Sequence, residues 1–317
     1  MVFRLLLLSL YTFSGLFLTL PSVSHSQEPI KIITNNWTSQ IVLSKITGNI
    51  FQAMGSTVEY IPSSVSDQWG ALAHGAAHVQ VEVWEGTMSE QFNRLIADGK
   101  IIDAGSHFAT TREDWWYPKY VEALCPGLPD WQALKDCAAI FQRPGSQGKG
   151  VYFAGPWEKP DEARVRALAM NFQVKVLSQG DDLWLELKKS YAAKQAIVLF
   201  NWTPNWVESR YKGAFVEFPQ YNPACETEPS WGINKKFLYD CGNPSGGWLK
   251  KAVAINFKHD HQCAFDTLKN ISLNNQQIAS LAALVDVDNM SYQMAAEYWL
   301  NKNTPLWKGW IAQSCMQ

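Results

Sequence analysis

Apolar stretches of strand length alternate with segments of helical periodicity from residue 30 onward. IKIIT (residues 30–34) predicts a strand, residues 38–55 predict an amphipathic helix that ends at Gly55, and residues 57–62 predict the next strand. In HVQVEVW (residues 78–84) alternate positions are valine, which indicates a further strand. This order of elements predicts an α/β unit with a mostly parallel sheet.

The same alternation restarts after a proline-rich segment, and residues 149–202 predict a second unit of strands and helices. A length of 317 residues agrees with two units, since a single core seldom grows past about 250 residues. The C-terminal helices have no strands of their own, so we expect them to pack on the first unit. The predicted lobes are residues 27–112, an inserted lobe over 113–214, and a return to the first lobe over 215–317. Two chain crossings between lobes make a hinge.

The first 26 residues have the pattern of a secretory signal. A basic start precedes an apolar stretch of 16 residues from Leu5 to Leu20, and residues 24–26 form a small-x-small cleavage site. Sixteen residues fall short of the roughly 20 that span a bilayer. No cysteine near the cleavage site could carry a lipid anchor. We therefore expect a mature chain that starts near Gln27 and acts in the periplasm.

Charge and motif content exclude several classes of function. The net charge is −2 and no basic run occurs, so neither nucleic acid nor an anionic membrane surface is an expected partner. There is no GxSxG, P-loop or HExxH motif, and the adjacent Asp181 and Asp182 read as helix caps. KHDHQC (residues 258–263) lacks the paired spacing of a zinc site, and VDVDN (residues 285–289) lacks the calcium-loop pattern. The sequence predicts no enzyme, no cofactor and no metal.

Six cysteines fit the oxidising compartment that the signal implies. Two disulfides are predicted because each would close a short loop that contains Pro or Gly. They join Cys125 with Cys137 and Cys225 with Cys241. Cys263 and Cys315 remain open, either paired or free.

Tryptophans directly follow three of the predicted strands, at Trp37, Trp84 and Trp202. Ligands of open α/β sheets bind beyond the carboxyl ends of the strands, so these indoles should face one cleft between the lobes, with Trp116 from the first crossing. A cage of indoles suits a quaternary ammonium group, which ring quadrupoles hold at about 0.5 to 2 kcal/mol per ring. Five further tryptophans are expected to pack in the apolar cores, namely Trp131, Trp184, Trp299, Trp307 and Trp310.

Five motifs in a fixed order carry a resemblance to a known family. NNWTSQ, then DQWGALAHG leading to VEVWEG, DWWYPKY, FNWTPNW and AAEYWLNKN resemble motifs of the substrate-binding proteins of ABC transporters for glycine betaine, choline and related osmolytes. The resemblance covers nearly all of the mature chain. It implies a two-lobed periplasmic-binding-protein fold of type II, in which each lobe is a mostly parallel sheet with flanking helices. Such a protein closes on its ligand in the interdomain cleft, works as a monomer and delivers the ligand to a permease in the inner membrane.

The resemblance also implies which residues form the cage. Trp37 and Trp84 would be walls from the first lobe, and Trp116 and Trp202 walls from the second. Three further candidates are Trp115 or Tyr117 in place of Trp116, and Trp69 on a helix. Trp206 is open between a wall and a residue that packs at the hinge.

The polar end of the ligand is less clearly specified. Asn205 stands where betaine-type members often carry His, and the EDWWYPKY segment is similar to that of trimethylamine N-oxide binders. Backbone amides at residues 38–40 could accept a carboxylate at a helix N-terminus. Choline would need an acid near its hydroxyl group, with Glu82, Glu85 and Asp114 as candidates.

The expected ligand is therefore glycine betaine or a close relative. Trimethylamine N-oxide and choline are the alternatives within the same class, and carnitine and dimethylsulfoniopropionate are not distinguished from them. A tryptophan-rich carbohydrate-binding protein is the alternative from another class. The cysteine-bearing segment over residues 221–247 is expected to be a stapled loop beside the hinge rather than a ligand contact.

Overall fold

The computed structural model describes residues 28–157 and 159–315 of the chain. The predicted signal segment over residues 1–26 lies outside the described residues. Within these ranges, no helix has the length and apolar character needed to cross a membrane.

The first lobe begins with three parallel strands and the helices that follow them. The elements are β1 (Ile30–Thr34), α1 (Thr38–Ala53), β2 (Val58–Pro62), α2 (Asp67–Ala73), β3 (Val79–Trp84) and α3 (Glu85–Ala97). Strand β1 lies between β2 and β3 and runs parallel to both. All six residues of β3 are buried, as expected for a strand covered on both faces.

A long strand leads from the first lobe into the second. Strand β4 (Ile101–Pro118) has 18 residues, and its first part pairs in antiparallel fashion with β9 (Ser245–Ala254). Its second part pairs with β7 (Val198–Thr203) and β8 (Gly213–Phe215), again antiparallel. The sheet is therefore continuous, in the order β2-β1-β3-β9-β4-β7-β5-β6, and the lobes are joined by strands rather than by a loose linker.

The second lobe repeats the parallel arrangement, since β5 (Gly150–Ala154) lies between β6 (Phe172–Val176) and β7 and runs parallel to both. Its α-helices are α4 (Trp131–Asp136), α5 (Asp161–Ala167), α6 (Gly180–Ala192), α7 (Val207–Arg210) and α8 (Ala224–Thr227). The C-terminal helices are α9 (Phe257–Asp260), α10 (Gln262–Asn270), α11 (Asn275–Asp286), α12 (Tyr292–Lys302) and α13 (Thr304–Trp310). Short 3-10 helices occupy Lys119–Ala123, Ala138–Phe141 and Gln313–Cys315.

Two apolar cores define the lobes. The first core uses buried side chains from residues 30–109 and 249–310, and helices α11 and α12 pack against α1. The second core uses residues 115–218 together with Ala282 of α11. Val216 and Phe218 belong to the second core, and Arg164 of α5 donates to the Cys241 carbonyl oxygen at 2.8 Å. The second core therefore extends past residue 215 to Phe218, and the predicted lobe boundaries stay a prediction.

Three disulfides close the described part of the chain. The two predicted pairs, Cys125–Cys137 and Cys225–Cys241, are confirmed. The third joins Cys263 of α10 to Cys315, which answers the question that the sequence left open and ties the C-terminal segment to the first lobe.

Candidate ligand-binding site

A small cavity lies between the lobes, where the carboxyl ends of β1, β3 and β7 meet. Aromatic rings from both lobes dominate its walls. The lining residues are Trp37, Val65, Trp84, Thr87, Met88, Glu113, Trp157, Phe200 and Trp202. Three of the four predicted cage walls are thus brought together, and the fourth is replaced.

Trp37 and Trp84 supply the first lobe's walls from equivalent places in the fold. Trp37 is the extended residue immediately before α1, and Trp84 is the last residue of β3, immediately before α3. Parallel neighbouring strands end at the same edge of the sheet, so the two indoles reach the same space. Both side chains are buried, with only part of each ring exposed to the cavity.

A single buried carboxylate holds both of these indoles. Oε2 of Glu82 accepts hydrogen bonds from Trp37 Nε1 at 2.8 Å, from Trp84 Nε1 at 3.2 Å and from Ser39 Oγ at 3.1 Å. Burial raises the pKa of Glu82 to about 7, although the three donors act in the opposite direction. Glu82 is fully buried behind the cavity walls and does not line the cavity.

The second lobe contributes Phe200 and Trp202 from β7 and Trp157 from the segment between β5 and α5. The ring of Trp157 lies 5.1 Å from that of Trp202 at an interplanar angle of 80°, and 5.6 Å from the ring of Phe200. Trp157 Nε1 also donates to Asn36 Oδ1 at 3.1 Å, which is a contact with the first lobe. Trp157 therefore lines the cavity and also connects the two lobes through its hydrogen bond to Asn36.

Glu113 gives the cavity one acidic wall. It lies on β4 opposite Trp202 of β7, and its Oε1 accepts from Thr87 Oγ1 at 2.5 Å and from Lys159 Nζ at 3.0 Å. Its Oε2 has no hydrogen-bond partner among the described residues. Lys159 also donates to Thr87 Oγ1, so its ammonium group is engaged beside the cavity rather than free to meet a ligand.

Trp115, Trp116 and Tyr117 do not line this cavity, contrary to expectation. Strand β4 carries them beyond Glu113 into the second core, where each is at most 2% exposed. Trp115 stacks on Tyr152 with ring centroids 3.8 Å apart. The predicted wall Trp116 packs against Gly213, where an added Cβ atom would overlap its ring. These aromatics build the lobe, and Glu113 is the residue of this motif that reaches the ligand space.

Trp69 and Asn205 also lie outside the main cavity. Trp69 is buried in the first core. Asn205 donates to Asn201 Oδ1 at 2.9 Å and lines a smaller polar pocket that shares Trp37, Trp157 and Trp202 with the main cavity. The remaining residues of this adjoining pocket are Asn36, Thr38, Ser39, Gly180, Asp181, Trp184, Pro204, Ala282 and Asp286.

The residues around α1 that were expected to receive a carboxylate border this adjoining pocket and not the main cavity. Thr38 Oγ1 donates to Asp286 Oδ1 at 2.8 Å, and burial raises the pKa of Asp286 to about 6. Trp184, which was expected to be core filler, lies against Trp202 with ring centroids 5.3 Å apart. Trp206 packs in the second core, with its ring edge toward Trp184.

The three acids that the sequence suggested as acceptors for a choline hydroxyl group do not line the cavity. Glu82 lies behind the indoles, Glu85 accepts the Trp248 backbone N–H at 3.0 Å, and Asp114 pairs with Arg164 at 2.8 Å inside the second lobe. The acid that lines the cavity among the described residues is Glu113.

Sequence reasoning missed Trp157, Phe200 and Glu113. Trp157 follows β5 after only two intervening residues, so the rule that selected tryptophans at strand ends could have found it. Glu113 gave no local signal, because its position depends on the pairing of β4 with β7, far apart in sequence.

Comparisons with known proteins show the family of this chain. Residues 28–302 match the family described as the substrate binding domain of ABC-type glycine betaine transport systems. A trimethylamine N-oxide-binding protein of Pelagibacter ubique is 37% identical over 311 residues, which is 95% of each chain.

Solved structures extend the likeness to the fold. A glycine betaine/L-proline-binding protein from Borrelia burgdorferi superimposes with a TM-score of 0.71 at 17% identity, covering 91% of this chain and 98% of its own. An ABC-transporter choline-binding protein in complex with choline gives a TM-score of 0.68 at 15% identity, covering 90% and 92%. The predicted two-lobed periplasmic-binding-protein fold is confirmed.

Proposed function

This chain belongs to the family of substrate-binding domains of ABC-type glycine betaine transport systems, and from that premise we propose that its ligand is trimethylamine N-oxide. The family is a binding component of a transporter and not an enzyme, and its members are extracytoplasmic. We propose further that the chain acts as a monomer and delivers its ligand to the permease of an importer in the inner membrane.

The observation that supports a methylated ammonium ligand is the ring of aromatic side chains with one acid beside it. Four indoles and the Phe200 ring face the cavity, and Glu113 borders it. Methyl groups on a positively charged nitrogen have no hydrogen-bond donor, and ring faces attract them at about 0.5 to 2 kcal/mol each. Among the lining side chains in the described part of the chain, Thr87 and Glu113 alone carry hydroxyl or carboxylate groups, which are too few to bind the hydroxyl groups of a sugar.

The charges around the cavity favour trimethylamine N-oxide over glycine betaine. Among the described residues no Lys, Arg or His lines the cavity, and the neighbouring Lys159 is paired with Glu113. The carboxylate of glycine betaine would therefore meet an acid without a free cation to balance it. An N-oxide carries its negative charge on one oxygen next to the nitrogen, and the Thr87 hydroxyl group would donate to it by turning its one proton away from Glu113 Oε1. The named function of the 37% identical relative supports the same choice.

Choline is the second candidate, because of one specific atom. Oε2 of Glu113 is buried and has no partner among the described residues, so it can accept a hydrogen bond from the hydroxyl group of choline. In this case the trimethylammonium group would still occupy the aromatic walls.

Isothermal titration calorimetry with trimethylamine N-oxide, choline, glycine betaine and an oligosaccharide tests the proposal. We expect trimethylamine N-oxide to bind most tightly. Alanine at Trp84, Trp157 or Trp202 should weaken binding by about tenfold or more while far-UV circular dichroism stays unchanged. Trp231→Ala is the matched control, since this tryptophan is 37% exposed and belongs to neither core.

Two outcomes would contradict the proposal. Unchanged affinity in all three wall variants would show that these aromatic side chains do not form the ligand-binding cage. Binding of the oligosaccharide without any methylated amine would instead place the protein in the carbohydrate-binding class.

A further inference from the structure

Glu82 stands out among the buried charged groups of the first lobe. It is fully buried on β3, and one of its oxygens accepts three hydrogen bonds, two of them from the cavity walls Trp37 and Trp84. Its other oxygen, Oε1, has no partner among the described residues. No ion pair joins Glu82 to a cation in the part of the chain that the structure describes. In its ionised form Glu82 therefore has no balancing positive charge among the described residues.

Burial of an ionised carboxylate is energetically unfavourable unless a positive charge lies nearby. Taking a carboxylate out of water costs several kcal/mol, and hydrogen bonds from neutral donors offset only part of that cost. Glu82 lies at the N–H edges of two indoles that border the proposed ligand space. A trimethylated ligand would place its positive charge against those indoles.

The hydrogen bonds also alter the rings themselves. An indole N–H that donates to a carboxylate shifts electron density toward the ring, which strengthens the negative face that attracts cations. The same two bonds fix the rotation of each indole about its side-chain torsions, and Ser39 holds the carboxylate in place. One carboxylate can therefore set both the geometry and the electrostatics of the first lobe's walls.

We infer that Glu82 is a positioning residue that holds Trp37 and Trp84 as one unit and supplies the negative charge that makes the cage selective for cations. The inference rests on the proposed function and extends it to a residue that does not touch the ligand. Burial raises the pKa of Glu82 to about 7, and a bound cation would act in the opposite direction by favouring the ionised form.

The alternative is a purely structural role, in which any acceptor of the right shape would serve. Glu82→Gln separates the two roles, since the amide oxygen can still accept both indole N–H groups while the charge is lost. The variant should fold, because it removes a buried charge and keeps an acceptor. Glu59→Gln is the matched control, since Glu59 is an exposed residue of β2 in the same lobe and the change in net charge is identical.

The probes are choline and its neutral carbon analogue 3,3-dimethyl-1-butanol, which has nearly the same shape. In calorimetric titrations, Glu82→Gln should weaken choline binding by about fivefold or more and change binding of the neutral analogue by less than about twofold. The Glu59→Gln control should leave both affinities unchanged.

Several results would overturn the inference. An equal loss for both probes, or a variant that does not fold, would show that Glu82 acts only through structure. No loss for either probe would show that it has no role in binding. In all these cases a wild-type protein that binds methylated cations leaves the proposed function standing, whereas a wild type that binds none of them would overturn both.

Discussion

At the scale of single residues, the first lobe also contains a histidine that must stay neutral. His107 lies on β4 and is almost fully buried. Its Nε2 lies 2.9 Å from the Val81 carbonyl oxygen, and its Nδ1 accepts the Leu273 backbone N–H at 3.4 Å, so we assign the proton to Nε2. Burial, with a further contribution from the charge of Lys251, lowers the pKa of His107 to about 3. Protonation would remove the acceptor that Leu273 uses.

This histidine should make the fold sensitive to acid. Between pH 6.5 and pH 3 the unfolded chain binds a proton at this site that the folded chain does not, so the free energy of unfolding falls as the pH falls. The loss should amount to about 1.4 kcal/mol per pH unit within that window. Urea unfolding at pH 6.5 and pH 4.5 should show a smaller pH dependence for His107→Gln than for the wild type.

The control for this comparison is His259→Gln, because the side chain of His259 is 92% exposed. It should keep the pH dependence of the wild type. If His107→Gln and the wild type lose the same free energy between the two pH values, His107 does not account for acid sensitivity.

At the scale of elements, the segment between β5 and α5 decides how the second lobe meets the ligand. It carries Trp157, which borders the cavity, and Lys159, which pairs with Glu113. Gly155 leaves the room that the indole occupies, since an added Cβ atom would lie 2.3 Å from Cζ3 of Trp157 and 3.2 Å from Cδ1 of Leu183. The position of this wall therefore depends on the absence of a side chain two residues earlier.

Gly155→Ala should displace the Trp157 ring and break its contacts with Trp202 and Asn36. We expect the affinity for trimethylamine N-oxide to fall by about tenfold or more, with far-UV circular dichroism unchanged, because the change affects one wall and not the core. Gly70→Ala is the matched control, since Gly70 lies on α2 with no atom within 4 Å of an added Cβ. Full affinity in Gly155→Ala would show that the position of the Trp157 indole does not depend on the missing side chain at Gly155.

The elements that could be predicted from the sequence are those with a local signal. Strands β1, β2 and β3 and helix α1 were read from periodicity, and Trp37, Trp84 and Trp202 from their places at strand ends. Strand β4 could not be read in this way, because the polar stretch before Trp115 becomes a strand only through antiparallel partners more than 80 residues away. The placement of Trp116 in the second core and the omission of Glu113 both follow from that missing register.

At the scale of the whole molecule, the two lobes share one sheet and meet again across the cavity. Strands β4 and β9 form the continuous connection on one side. On the other side, Lys159 of the second lobe donates to Thr87 of α3, and Trp157 donates to Asn36. A clamp with a strand hinge and polar contacts at its mouth can hold a ligand only while those contacts are made. The contacts should therefore govern how fast the ligand leaves.

The Thr87 hydroxyl group is the contact that can be removed with the least change of shape. Thr87→Val removes the hydrogen bonds that connect Thr87 of α3 with Glu113 and with Lys159, while the side chain keeps nearly the same volume. The closed state loses stability relative to the open state, so we expect the dissociation rate of the ligand to rise by about threefold to tenfold while the association rate changes little. Stopped-flow measurements of tryptophan fluorescence should report both rates, since indoles line the cavity.

Thr111→Val is the control, because Thr111 is also buried and its hydroxyl group lies near the Trp248 carbonyl oxygen within the first lobe. Loss of a contact between the lobes should raise the dissociation rates of trimethylamine N-oxide and choline by the same factor. Loss of a direct hydrogen bond to the ligand would instead affect only the ligand that accepts it. Unchanged dissociation of both ligands from Thr87→Val would show that the aromatic walls and the hydrogen bond from Trp157 to Asn36 are enough to keep the lobes closed.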